Sequence, residues 1–344
     1  MPRLRRTQLA GPGISRRARG RGFSYIGRGG EAVRNSDLDR IKSLAIPPAW
    51  REVWICPYEN GHIQACGLDQ AGRRQYLYHP SWTEQRSKDK DRRVLRLAEA
   101  LPKARDSAEA RLESESLDRD TVLAASFRLL DLGFFRIGSE QYAKRNGTYG
   151  LATLRREDVR VRGDAVHFEF TGKHRIHVSR RIVDPQLASL LKRLLARRDT
   201  ENPELLAWRE GRTWQDVRSA DINEYLRTLL AGDFSAKDFR SWHGTVLAAA
   251  ALSLVSTTGQ SITSVSKTKR NQMIAHAARE VGHYLGNTPA VARSSYIHHG
   301  IVANFHKGRV IDVSLLDEGA IAGSPATHGP VESETLRLLT KVRR

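Results

Sequence analysis

Residues 158–183 read DVRVRGDAVHFEFTGKHRIHVSRRIV. Apolar residues recur at alternate positions through Val159, Val161, Val166, Phe168 and Phe170. Two breaks, at Gly163-Asp164 and around Thr171-Gly172, cut the run into three pieces. Period-two alternation between turn residues predicts a three-stranded antiparallel sheet, with Lys173 at the tip of its second hairpin. Everything around this island is different. Residues 94–114, VLRLAEALPKARDSAEARLES, and 118–133, DRDTVLAASFRLLDLG, carry apolar residues at helical spacing. Helical patterning resumes near Gln186 and is expected to run nearly to Val313.

Upstream, SDLDRIKSL (36–44) predicts a short helix, with Ser36 and Asp39 at capping-box spacing and Pro47-Pro48 closing it. REVWICP (51–57), HIQACGLD (62–69) and QYLYH (75–79) read as strands, the last two separated by a Gly-Arg-Arg turn. TEQRSKDKDRR (83–93) is densely charged and reads as a solvated linker or exposed helix start. The fold class that follows is α+β. A small strand-rich N-terminal domain occupies 23–85, and a mainly α-helical domain with a three-stranded antiparallel sheet occupies 86–318. Residues 1–22 are expected to be a flexible basic arm, and 319–344 a tail of weak periodicity.

The chain of 344 residues is long enough for a sizeable core, and its 40% hydrophobic and 28% charged content fits a globular protein. Its formal charge of +19, spread along the whole length, asks for a polyanionic partner, nucleic acid before an anionic membrane. No apolar run approaches the ~20 residues of a membrane span. The N-terminal arginines have no apolar segment behind them, so no secretory signal is expected. Cys56 and Cys66 are too few for a disulfide scaffold or a zinc site and read as buried thiols.

No GxxxxGK[ST] loop is present, and no acidic cluster has the pattern of a two-metal nuclease. Phosphodiester chemistry without ATP or metal needs cations to neutralise the phosphate and a side-chain nucleophile to conserve the bond. Four contexts supply such groups. FFRIGSEQYAKRNGTYGLATL (134–154) places Arg136 just after an apolar helix, with Gly138 and Gly147 interrupting the pattern as close approach to a phosphate backbone would require. Lys173 caps the hairpin. SAKDFRSWHGTVLAAAAL (235–252) sets Lys237 and Arg240 three apart at the start of a buried helix. REVGHYLGNTPAVARSSYIHHG (279–300) ends one helix at Gly286-Asn287 and starts another at Thr288-Pro289, with Tyr296 about two turns into it. Each alone is ordinary: a lone arginine is usually solvated or ion-paired, and a helical tyrosine usually packs in a core.

Together and in this order, the segments resemble the bacterial, poxvirus-like type IB DNA topoisomerases, from about Ser24 to Lys307. IPPAWREVWICPYENGHIQACGLDQAGRRQYLYHPSW (46–82) resembles the family's N-terminal domain, and RIGSEQYAKRNGTYGLATL, KDFRSWHGT and LGNTPAVARSSY its catalytic boxes. The resemblance implies relaxation of supercoiled duplex DNA through a transient 3′-phosphotyrosyl bond, with no cofactor, by a cytoplasmic, nucleoid-associated monomer. Tyr296 is then the nucleophile, Arg136 and Arg240 grip the scissile phosphate, and Lys173 protonates the leaving 5′ oxygen. Asn287 stands where many relatives have histidine. It donates a hydrogen bond but does not titrate. Lys237 matches a phosphate-anchoring lysine, Gln75 and Tyr76 match positions that touch DNA, and Tyr142 and Lys144 are further candidate DNA contacts. Residues 83–93 depart from the family, whose members usually show an Arg-Asp pair and then Lys-Phe after the position of Trp82. His243, His298 and His299 read as packing or phosphate-proximal residues. A tyrosine recombinase shares the chemistry, but Lys237 stands where that group typically has histidine, and the N-terminal unit is strand-rich. An architectural DNA binder would need neither the tyrosine box nor the hairpin lysine.

Overall fold

The computed structural model describes residues 3–198, 202–256, 262–316 and 327–341. The chain divides into two compact units, Met1–Lys90 and Asp91–Arg344.

The first unit is a five-stranded antiparallel sheet with strand order β2-β1-β3-β4-β5. Its strands are β1 (Ile14–Arg19), β2 (Gly22–Ile26), β3 (Arg51–Ile55), β4 (Ile63–Leu68) and β5 (Arg74–Tyr78). The helix α1 (Asn35–Ser43) contributes Ile41 to a small core with Ile14, Val53, Ile55 and Ala65. Three of these strands and the helix are where the sequence reading places them, although Ser36 makes no capping box, since the helix opens at Asn35 without a side-chain cap. The flexible arm expected over 1–22 is corrected: residues 14–19 are a strand. β1 pairs with β2 on one side and β3 on the other. Its arginines hide the strand pattern because one of them works inward. The Arg16 guanidinium donates to the carbonyls of Ile46, Pro47 and Trp50 (3.2, 3.1 and 2.7 Å) and lies 4.1 Å from the centre of the Phe23 ring. It thereby fastens β1 to the turn that precedes β3.

The charged stretch 83–93 is part of the continuous helix α2 (Pro80–Leu112), and the division between units falls at Lys90/Asp91 instead of after residue 85. Glu, Gln, Lys and Arg are good helix formers, and Glu84 and Lys88 pair at 2.6 Å one turn apart. No glycine interrupts them.

The second unit is mainly helical. After α2 come α3 (Arg119–Gly133), α4 (Glu140–Asn146), α5 (Pro185–Leu195), α6 (Ser219–Leu229), α7 (Ala236–Val255) and α8 (Lys267–Leu285). The expected sheet is present as β6 (Val159–Arg162), β7 (Ala165–Thr171) and β8 (His177–Val183), in that order and antiparallel. α7 is buried on nearly every face, as its AAAAL run requires. Around it the core gathers Phe127, Leu130, Phe239, Trp242, Val281 and Leu285.

Two elements depart from the expected pattern. The run of helices after Gln186 is broken by a hairpin, β9 (Ala207–Glu210) and β10 (Thr213–Asp216), turning at Gly211. Trp208 and Trp214 pack from it against the core, and these bulky residues obscure the short alternation. The expected boundary at 318/319 lies outside the described residues, but residues 327–341 of the tail pack into the unit. Pro330–Thr340 form a helix that buries Val331, Glu332, Thr335 and Leu339. Its weak apolar pattern reflects a buried face that carries a carboxylate and a hydroxyl.

Candidate active site

The site is organised by the C-terminal end of α8. Gly286 adopts the left-handed conformation (φ 60°), which lets the helix close in a Schellman turn: Asn287 N–H donates to Gly282 O (2.8 Å) and Gly286 N–H to His283 O (3.2 Å). That turn leaves the carbonyls of Tyr284, Leu285 and Gly286 facing outward at the negative end of the helix dipole. Each receives a guanidinium from a different element. Arg180 on β8 donates to Tyr284 O (2.6 Å), Arg240 on α7 to Leu285 O (2.6 Å) and Arg136 to Gly286 O (2.7 Å). Arg136 also donates to Asn287 Oδ1 at 2.7 Å, so the first and fourth of the sequence contexts meet here.

Arg240 is held from a second side by Phe134 O (2.5 Å). Phe134 terminates α3 in the left-handed region (φ 56°), a strained conformation for a bulky residue, and that turn aims its carbonyl at the guanidinium. Arg136, two residues on, is fixed through its backbone, since its carbonyl accepts from Leu151 N–H (2.8 Å). A Cβ on Gly150 would lie 2.5 Å from Gly138 N and 2.7 Å from Arg136 O, so the chain crosses itself here only because both positions are glycine. Gly138 therefore serves an approach of the protein to itself. Gly147 ends α4 with a left-handed turn and nothing close to it.

Tyr296 is half-buried, with Arg240 Cζ 5.2 Å from the centre of its ring. It does not lie two turns into a regular helix. A short α-turn, Pro289–Val291, passes into a π-turn, Ala292–Tyr296, and the chain leaves helical geometry at Ile297. The wider turn carries the tyrosine toward α7, where Thr245 Oγ1 donates to its carbonyl (3.2 Å) and accepts from His298 N–H (3.0 Å). π-turns inside helices are rare and frequent at functional sites.

The electrostatics follow from the burial. Desolvation pushes the Arg240 guanidinium down to about 10, assisted by the neighbouring charge of Arg136, and it stays protonated at neutral pH. Arg136 and Arg180 are lowered for the same first reason, and Arg180 also by the charge of Arg136. Among the described residues no carboxylate pairs with any of the three. Burial alone would raise the Tyr296 phenol. The charges of Arg240, Arg136 and Lys237 and hydrogen bonding from Arg240 outweigh it and hold the phenol below its ordinary value near 10.

The remaining candidates are placed as follows. Lys237 is exposed on the first turn of α7, close enough to act on Tyr296 by its charge. Lys173 is exposed at the hairpin tip and makes no hydrogen bond or ion pair with Arg136, Arg240, Asn287 or Tyr296. Gly172 and Ile176, which flank its turn, line the same cleft as Arg136, Arg180 and Arg240. His174 and Arg175 both have positive φ (63° and 59°), so the tip is tightly wound. Tyr142 and Lys144 are exposed on α4, Tyr142 at 56%. In the N-terminal unit Gln75 donates to Asp69 (2.9 Å), and Tyr76 and Tyr78 lie with stacked rings on the exposed face of β5. Arg180 was missed by the sequence reading. Its signal was an arginine between Val178 and Ile182, on the inward side of a strand that otherwise buries apolar residues.

Behind the arginines lies a buried charge network. Arg105 donates to both oxygens of Asp131 (2.8 and 3.0 Å) and both of Glu332 (2.6 and 3.0 Å), and the Trp242 indole donates to Glu332 (2.6 Å). His243 and His328 approach Asp131 at 3.6 and 3.1 Å. Burial alone would raise the Asp131 carboxyl, but His328, His243 and Arg105 together hold it well below the usual range, and burial keeps His243 below its ordinary value. Asp131, His243 and His328 are the one group among the described residues with metal-ligand spacing. The Arg105 guanidinium already occupies the cation's place on that carboxylate. His299 Nδ1–H donates to the Asp91 carboxylate at 2.9 Å.

A half-buried tyrosine beside an arginine, with three guanidiniums gathered on one helix end and a three-stranded sheet set on a helical core, makes a site suited to binding an anion. Residues 79–309 match the family described as eukaryotic DNA topoisomerase I, catalytic core, and residues 22–69 match bacterial DNA topoisomerase IB, N-terminal domain. The chain belongs to the type IB DNA topoisomerases, and its activity is that of a type I DNA topoisomerase. It is 28% identical over 270 residues to the DNA topoisomerase 1B of Acanthamoeba polyphaga mimivirus, covering 78% of this chain and 79% of that one. It is 24% identical over 251 residues to the DNA topoisomerase 1B of vaccinia virus (72% and 74%), and 23% over 283 to the DNA topoisomerase 1 of rabbit fibroma virus (78% and 81%). No described helix is long and apolar enough to cross a membrane.

Proposed function

We propose that the protein relaxes supercoiled duplex DNA by transient cleavage of one strand through Tyr296, without ATP or metal, as a cytoplasmic monomer working on the nucleoid. The Tyr296 oxygen attacks the scissile phosphorus, the bond from phosphorus to the 5′ oxygen breaks, and a 3′-phosphotyrosyl ester remains. The phenol proton passes to solvent, and Lys173 gives a proton to the departing 5′ oxygen. Arg136 and Arg240 neutralise the non-bridging oxygens as charge builds in the trigonal-bipyramidal transition state, and Asn287 adds a neutral donor. Lys237 anchors the phosphate from the start of α7. Gln75 and Tyr76 on one unit and Tyr142 and Lys144 on the other contact the duplex. Torsion in the DNA turns the cut end about the intact strand, and the 5′ hydroxyl then attacks the ester and reseals it. The ester conserves the bond energy, so no nucleotide is consumed.

The observation that carries this reading is the half-buried Tyr296 phenol beside Arg240, held below its ordinary pKa by Arg240, Arg136 and Lys237, with no carboxylate among the described residues paired to the two arginines. A phenol so placed is primed to act as an anion beside a bound phosphate. Plasmid relaxation in EDTA without ATP tests it, with wild type expected to relax and Tyr296→Phe expected to be inert. Relaxation by the Phe variant, or a requirement for magnesium or ATP, defeats the proposal.

A further inference from the structure

Three arginines, not two, meet at the end of α8. Arg136 and Arg240 are absorbed by the proposed chemistry and Arg180 is not. Its construction is nevertheless the same. Like the others it spends one guanidinium nitrogen on one of three successive carbonyls, Tyr284, Leu285 and Gly286. Its other terminal nitrogen donates to Ser179 O (2.8 Å), so the fork is oriented and not swinging in solvent. Like the others it has no ion-pair partner among the described residues, and all three line one cleft with Gly286 and the base of the Lys173 hairpin. Three guanidiniums brought together without an anion repel one another. A fold that pins each by a separate carbonyl sustains that repulsion until an anion arrives.

We infer that Arg180 is a third phosphate-binding guanidinium, holding the backbone diester next to the one gripped by Arg136 and Arg240. The inference rests on the topoisomerase chemistry proposed above. Arg180 then fixes the strand on one side of the cut, so that the scissile phosphate meets Tyr296 in register. A structural role in capping α8 is the competing explanation, and lysine and glutamine together separate the two, because both lose the guanidinium fork and only lysine keeps the charge.

The test is duplex binding in a Tyr296→Phe background, measured against salt. Each neutralised phosphate adds about 0.9 to the slope of log K on log salt. Arg180→Gln should lower that slope by about one and weaken binding about tenfold, as loss of a hydrogen bond between charged groups does. Arg180→Lys should retain the slope. An unchanged slope in Arg180→Gln, whatever its thermal stability, overturns the inference. A parallel denaturing gel for covalent protein–DNA adducts keeps the two readings apart. If wild type with Tyr296 intact forms no adduct, the tyrosine mechanism falls, whereas the slope judges Arg180 independently.

Discussion

Replacing Glu332 by alanine should cost the second unit about 3–4 kcal/mol, although the residue lies in the C-terminal helix and contacts none of the catalytic candidates. Its carboxylate receives three hydrogen bonds at 2.6, 2.6 and 3.0 Å, one from Trp242 and two from Arg105, and it is 8% exposed. Breaking a buried ion pair from one side costs roughly 3–5 kcal/mol, because the remaining charge loses its partner. The orphaned indole N–H adds about 1–3 kcal/mol. Arg105 keeps its two bonds to Asp131, which cuts the first contribution to about 2 kcal/mol and brings the total to about 3–4 kcal/mol. In a unit of this size each kcal/mol moves the midpoint by ~2–4 °C, so thermal unfolding should fall by roughly 6–16 °C. Differential scanning calorimetry of the full chain reads this directly, with Glu332→Gln losing clearly less, since its carbonyl still accepts from the indole. Below the new midpoint the alanine variant should still relax plasmid, because the Glu332 carboxylate is bonded to Arg105 and Trp242 and to none of the catalytic candidates. A loss under about 1 kcal/mol, or a glutamine variant as unstable as alanine, would refute the view that this network pins the C-terminal helix to the back of the site.

The phenol of Tyr296 should ionise below pH 10 in the free protein, because its cationic neighbours outweigh its burial. Ultraviolet titration of wild type minus Tyr296→Phe isolates it from the other tyrosines, and Lys237→Ala should move its midpoint upward by removing one of the charges that lowers it. A difference titration with no tyrosine below 10 rejects that electrostatic account. Lys173→Ala should slow single-turnover cleavage by about 100-fold or more, the usual weight of a general acid. A substrate with sulfur at the bridging 5′ position, which leaves without a proton, should restore the rate, and failure of that rescue removes the proton-donor role from Lys173.

The local code was legible wherever period and turn chemistry agreed. Gly163-Asp164 and Thr171-Gly172 bound three alternating segments, and the sheet β6-β7-β8 stands at those positions with Lys173 at its tip. β1 was unreadable because Arg16 does what an apolar residue usually does, filling an inward position and satisfying three carbonyls of another segment. The C-terminal helix was hidden similarly, since Glu332 and Thr335 occupy its buried face, and a carboxylate is tolerable there only beside Arg105 and Trp242. Arg180 was passed over because its single informative feature, an inward arginine on a strand, has meaning only once the end of α8 lies opposite it.

The sequence by itself determined the fold class, the polyanionic partner and the identities of Tyr296, Arg136, Lys173, Arg240 and Asn287 as candidates, because periodicity, charge and motif order are properties of the linear chain. Tertiary structure decided how they stand. A Schellman turn leaves three carbonyls of one helix unsatisfied, and arginines from three separate elements converge on them. The need to satisfy buried carbonyls and the mutual repulsion of buried cations act through space between residues 45 to 150 positions apart, and no window along the chain contains both sides of that balance.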